Sequence, residues 1–111
     1  MSESRRIPVR ISATAVRDLE VAFAYVSERN RAAAITLVKA IREAIVGLGD
    51  FPEMGAPLPP DEFEFIEPSV RFIVVEPYLV FYRPATDSVI VLRVLHARQD
   101  FLGELLGPAA R

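Results

Sequence analysis

The sequence predicts an α+β fold in the order β-α-α-β-β-β, with a helical hairpin packed on one face of an antiparallel sheet. Two observations predict it. Residues 70–100 hold three runs dense in Val, Ile, Leu, Phe and Tyr, cut by turn signals at Glu76-Pro77 and at Pro84-Ala85-Thr86-Asp87-Ser88. β-branched and aromatic side chains suit a pleated, half-buried surface, so these runs read as three consecutive antiparallel strands. Upstream, two segments carry apolar residues at three- and four-residue steps, which places them along one side of a helix. A helix with one apolar stripe needs a partner, and the sheet supplies it.

In chain order, Ile7-Pro8-Val9-Arg10-Ile11 reads as a short strand. Pro8 has no N–H to give a ladder, which predicts a strand start or an edge position. Ser12 or Thr14 then offers a helix N-cap. Ala15, Leu19, Ala22 and Val26, widened by Val16 and Phe23, form the stripe of a first helix ending near Arg29. Asn30 caps a second helix, whose apolar face is Ala34, Leu37, Val38, Ile41, Ala44, Ile45 and Leu48. Gly47, Gly49 and Pro52 close it. So short a connection folds the two helices back on each other.

Residues 51–68 are rich in Pro and carry the acids Asp61, Glu62, Glu64 and Glu67. They read as a surface connection pinned by Phe51, Met54, Leu58, Phe63, Phe65 and Ile66, with the acids solvated. The sheet face away from the helices is expected to be open, a natural place for a peptide or macromolecular partner.

Composition narrows the function classes. With 111 residues the chain is expected to form a single domain over residues 1–111. Cysteine is absent and His96 is the only histidine, so thiolate metal sites are excluded and neither metal nor cofactor is expected. The formal net charge of -2 argues against bulk electrostatic binding to nucleic acid. No long apolar run follows the N-terminus, so neither signal peptide nor membrane span is expected, and the reading is cytoplasmic.

Several segments together resemble the ParE/RelE superfamily of toxins from bacterial type II toxin–antitoxin modules, with the ParE branch the closer. Ile11-Ser12-Ala13-Thr14-Ala15-Val16-Arg17-Asp18-Leu19 is similar to the opening L-S-x-x-A-x-x-D-L of such toxins. Leu48-Gly49-Asp50-Phe51-Pro52-Glu53-Met54-Gly55 is similar to L-x-x-x-P-x-x-G. Arg71, Tyr78-Leu79-Val80-Phe81-Tyr82-Arg83 and Val91-Leu92-Arg93-Val94-Leu95-His96-Ala97-Arg98-Gln99-Asp100 resemble R…Y-x-V-x-Y-R and I-x-R-V-L-H-x-R-x-D. The resemblance implies a toxin that binds and inhibits DNA gyrase and is neutralised in a hetero-oligomer by a ParD-like antitoxin. The RelE branch implies the alternative, an endonuclease acting on mRNA at the ribosome. A toxin-fold scaffold without activity is a third reading.

Metal-free RNA cleavage needs a base for the 2′-OH, cations for the phosphate and an acid for the leaving oxygen. Phe72-Ile73-Val74-Val75-Glu76 has no Lys, and the chain's only lysine is Lys39, on the second helix. Catalytic candidates reduce to Arg71, Arg83, His96 and Arg98, and candidate partner contacts are Arg71, Tyr78, Tyr82, Arg83, Arg93, Arg98, Phe101 and Leu105. In simple hairpin register Arg83 and Arg93 share one sheet face while Tyr82, Leu92 and His96 share the other. A two-residue turn at Glu76-Pro77 brings Arg71 to the face of Tyr82 and His96. Competing readings pair Arg71 or Arg83 with acids such as Asp18 or Glu76, and bond His96 to backbone.

Overall fold

The protein, a computed structural model, is described at residues 6–58 and 69–98. Strand β1 (Val9–Ile11) begins directly after Pro8 and stops before Ser12, the N-cap of helix α1 (Ala13–Ser27). Ser12 has extended backbone, and its Oγ accepts the N–H of Ala15 at 3.0 Å while donating to the carbonyl of Leu92 at 3.1 Å. One side chain thus satisfies an orphan donor of the helix and ties its start to the far end of the chain. Asn30 caps α2 (Arg31–Gly47) in the same way, accepting from Ala33 N–H at 2.9 Å.

Strands β3 (Arg71–Val75), β4 (Tyr78–Pro84) and β5 (Val89–His96) form the expected antiparallel meander. A two-residue strand β2 (Ala56–Pro57) lies along β3, inside the stretch read from sequence as a connection. The sheet order is β1-β5-β4-β3-β2, so Pro8 does lead into an edge strand. β1 runs parallel to β5, with Val9 opposite Val89 and Ile11 opposite Val91, so the sheet is mixed where all-antiparallel pairing was expected. β1 and β5 lie some 80 residues apart, and no local pattern encodes such a pairing.

The two helices cover one face of this sheet. Ala15, Leu19 and Ala22 of α1 and Ile41 and Ile45 of α2 pack with Tyr78, Val80, Tyr82, Val89, Val91 and Val94. Alanines on α1 let its backbone lie close to the strands, and each large buried side chain contributes roughly 1.5–3 kcal/mol. The second sheet face was expected to be open, and at its centre it is not. Phe81 and Leu95, which alternate to that side, are each 1% exposed, with the Phe72 ring 6.1 Å from that of Phe81. So apolar a surface is too costly to leave in water. Val74, on the same face, is exposed.

The register of β4 with β5 also departs from the simple hairpin. Phe81 pairs with Arg93 but Tyr82 pairs with Val91, so Leu92 is an extra residue and β5 carries a bulge. Val91 and Val94 consequently both face the helices. Arg93 parts from Arg83 and reaches toward α1.

Candidate functional site

Arg93 and Asp18 form an ion pair that joins β5 to α1, beside the Ser12–Leu92 bond. The guanidinium donates through Nε to one carboxylate oxygen at 2.8 Å and through Nη2 to the other at 3.0 Å. The N–H of Val94 adds a third bond to Asp18, at 2.9 Å. Both side chains are largely withdrawn from solvent, 18% and 12% exposed. The sequence reading offered Asp18 to Arg71 or Arg83. The bulge at Leu92 gives it to Arg93 instead.

Arg71 and Tyr82 are committed elsewhere. They sit opposite each other in the β3–β4 ladder, as the two-residue turn predicted, and both hold the loop around Gly55. The N–H of Gly55 donates to the Tyr82 hydroxyl at 2.8 Å, and Arg71 Nη1 donates to the carbonyls of Gly55 at 2.6 Å and Glu53 at 3.3 Å. Tyr82 is wholly buried, so it cannot meet a partner at the surface as expected. Its packing explains the glycine: a Cβ on residue 55 would lie 2.7 Å from the Tyr82 hydroxyl and 2.6 Å from the carbonyl of Phe72.

Burial pushes the Tyr82 hydroxyl above the ordinary tyrosine range, and the Gly55 N–H and Arg71 charge offset this in part. Tyr78 is also pushed up, first by burial and then by neighbouring Tyr25. With both folded values above 10.0, the unfolded chain ionises first. The contribution of these two tyrosines to stability is therefore full below pH 10.0 and falls as pH climbs toward the folded values. A tyrosinate absorbance titration with melting curves in alkali is expected to show two late-titrating tyrosines and a declining Tm. Normal titration of both residues refutes this.

Four of the candidates, Tyr78, Arg93, His96 and Arg98, meet in a groove of about 520 Å³ between α1 and the end of β5. Tyr25, Tyr78, Arg93, His96 and Arg98 line it together. His96 meets the Tyr78 ring edge-on, at 5.2 Å and 79°, and its Nδ1 accepts the N–H of Arg98 at 3.1 Å. In the neutral imidazole that leaves the proton on Nε2. The backbone bond expected for His96 is thus present.

Tyr25 was missed from the sequence, where it is one polar-tipped residue off the apolar stripe of α1. It is exposed, and the Arg29 guanidinium lies 5.6 Å from its ring centroid. Such a groove can hold an acidic or aromatic group against cations and rings. Tyr78, held protonated at neutral pH, is no base.

Arg83 lies apart from this groove, opposite Ile90 on β5, and alternates to the face of Phe81. Phe101 and Leu105 fall outside the described residues, as do the acids of residues 61–67. Among the described residues no group of His, Asp and Glu is placed to hold a metal, and no helix is long and apolar enough to cross a membrane.

This architecture has known counterparts. A chain of the chromosomal ParDE toxin–antitoxin system from P. aeruginosa superposes with a TM-score of 0.65 at 23% identity, over 82% of this chain and 96% of the other. The toxin–antitoxin complex RelBE2 of Mycobacterium tuberculosis matches with a TM-score of 0.59 at 22% identity, over 86% and 97% of the two chains. At such identities the likeness is one of fold. No curated protein sequence matches the chain significantly. The family model for the ParE toxin of the type II toxin-antitoxin system parDE matches residues 9–101, and the chain therefore belongs to the ParE toxin family.

Proposed function

We propose that this toxin inhibits DNA gyrase by binding it, without covalent chemistry of its own, and that a ParD-like antitoxin neutralises it in the cytoplasm. The supporting observation is the dispersal of the groups that RNA cleavage would need together. Arg71 is bonded to the carbonyls of Glu53 and Gly55, Arg83 alternates to the second sheet face, and His96 and Arg98 line the groove beside α1. Of the four catalytic candidates only His96 and Arg98 share a place, and the other arginine there, Arg93, is already bonded to Asp18, so Arg71 and Arg83 are not on hand as phosphate-binding cations. A binding protein has no such requirement.

The antitoxin has a concave surface to occupy. Phe23, Ile35, Val38 and Val46 line an apolar channel of about 470 Å³ on the outer side of the helical hairpin, with Lys39, Arg42 and Glu43 at its rim. An amphipathic segment with acidic flanks suits that channel, folding as it binds. On this reading toxin and antitoxin form a hetero-oligomer, and the channel supports it as a seat for the antitoxin segment.

The test is a supercoiling assay with purified gyrase, toxin alone and toxin with its antitoxin. Inhibition that antitoxin reverses is expected. If gyrase is unaffected and programmed ribosomes show mRNA cut by the toxin, the endonuclease reading replaces this one. Silence in both assays leaves the inactive scaffold.

A further inference from the structure

We infer that the loop of residues 49–54 is a preorganised knob that enters an apolar pocket on the folded protein this toxin inhibits. The inference rests on the proposed mode of action, inhibition by binding, and adds the surface and the kind of partner.

Phe51 is 66% and Met54 57% exposed, which is unusual for large apolar side chains on a loop so firmly held. Restraint comes from three directions. Arg71 and Tyr82 grip Gly55 and the Glu53 carbonyl from the sheet. Ile7 N–H donates to the Gly49 carbonyl at 3.0 Å, and Arg6 pairs with Asp50 at 3.0 Å. Within the loop, Met54 N–H donates to the Phe51 carbonyl at 3.1 Å, so the two apolar residues stand at the ends of one tight turn. A buried tyrosine and an arginine are thus spent on shaping a surface loop. Rigid display lowers the entropy lost when such side chains bind, which is how interface anchors reach high affinity.

Shape and charge select the partner. A projecting pair of side chains needs a preformed cavity, which a folded protein has and an extended or helical antitoxin segment lacks. Strand addition is disfavoured beside the loop, because β2 is two residues long and Pro57 has no N–H. Glu53 is exposed between the two anchors, while Asp50 is already neutralised by Arg6. The pocket therefore carries a cationic group at its rim.

The experiment compares the full-length wild type with the Phe51→Ser, Met54→Ser double variant and with Glu53→Lys. Readouts are growth arrest on induced expression, inhibition of purified gyrase, affinity for the cognate antitoxin, and Tm. The expected result is at least a tenfold loss of growth arrest and of gyrase inhibition in the double variant. Glu53→Lys shows a smaller loss, and antitoxin affinity and Tm stay within twofold and a few degrees of wild type. Wild-type potency in the double variant overturns the inference, and so does an equal loss of antitoxin binding, which would make the loop an antitoxin contact. If wild type arrests growth but leaves gyrase untouched, the gyrase reading fails alone, and the knob stands or falls on growth arrest. A wild type that arrests nothing overturns both.

Discussion

Replacing Asp18 with alanine is expected to destabilise the fold by about 3 kcal/mol, among the largest effects of any single polar substitution in this chain. The carboxylate takes two bonds from Arg93 and one from the Val94 N–H, in a setting where both ion-pair partners are mostly shielded from water. Its removal leaves a half-buried guanidinium without that partner and costs the Val94 N–H an acceptor. It also cuts the link between α1 and β5 beside the bulge. Urea unfolding measures the loss directly. Removing both charges, with Asp18→Leu and Arg93→Leu together, is expected to cost less than Asp18→Ala alone, because no uncompensated charge stays behind. A loss below about 1 kcal/mol for Asp18→Ala would show the pair to be no stronger than an exposed one.

Gly55→Ala is expected to cost about 3 kcal/mol, and a Tm fall of roughly 4–8 °C for each kcal/mol. The added methyl would sit 2.6 Å from the Phe72 carbonyl, 2.7 Å from the Tyr82 hydroxyl and 2.8 Å from Tyr82 Cε1. None of these can yield easily. One is backbone in a paired strand, and the others belong to a ring that is 0% exposed. Relief requires the Gly55 segment to lift, which breaks its bonds to Tyr82 and Arg71 and frees the Phe51–Met54 turn. The control is Gly47→Ala. That position ends α2 and has nothing within 4 Å of a new Cβ, so a gain of about 0.4–1 kcal/mol is expected when both variants are melted in a calorimeter. Equal effects at the two glycines would refute the steric account.

The architecture was legible where the signal is periodic. The stripes of α1 and α2, the caps at Ser12 and Asn30, and the three strands after Val70 are local patterns, set by 3.6- and 2-residue periods and by side chains that reach their own backbone. Pro8 marked an edge because a missing N–H matters wherever the strand lies. The facing of Arg71 and Tyr82 followed from a turn length.

What tertiary structure alone decided is the assignment of polar side chains to partners. Arg71, Arg83 and Arg93 are the same residue type on adjacent strands, and nothing local separates their fates. One extra residue at Leu92 turns Arg93 to Asp18. The return of residues 53–55 over β3 gives Arg71 and Tyr82 to Gly55. Tyr25, a residue off the stripe of its own helix, enters a groove only because β5 ends beside it. The parallel pairing of β1 with β5 is of the same kind. Periodicity is a property of neighbours along the chain, whereas ion pairs, bulges and grooves depend on which distant segments meet. The sequence by itself determined the two helices, four of the five strands, their order and the family, but not β2. Tertiary packing decided which cations brace the fold and which side chains remain at the surface for a partner.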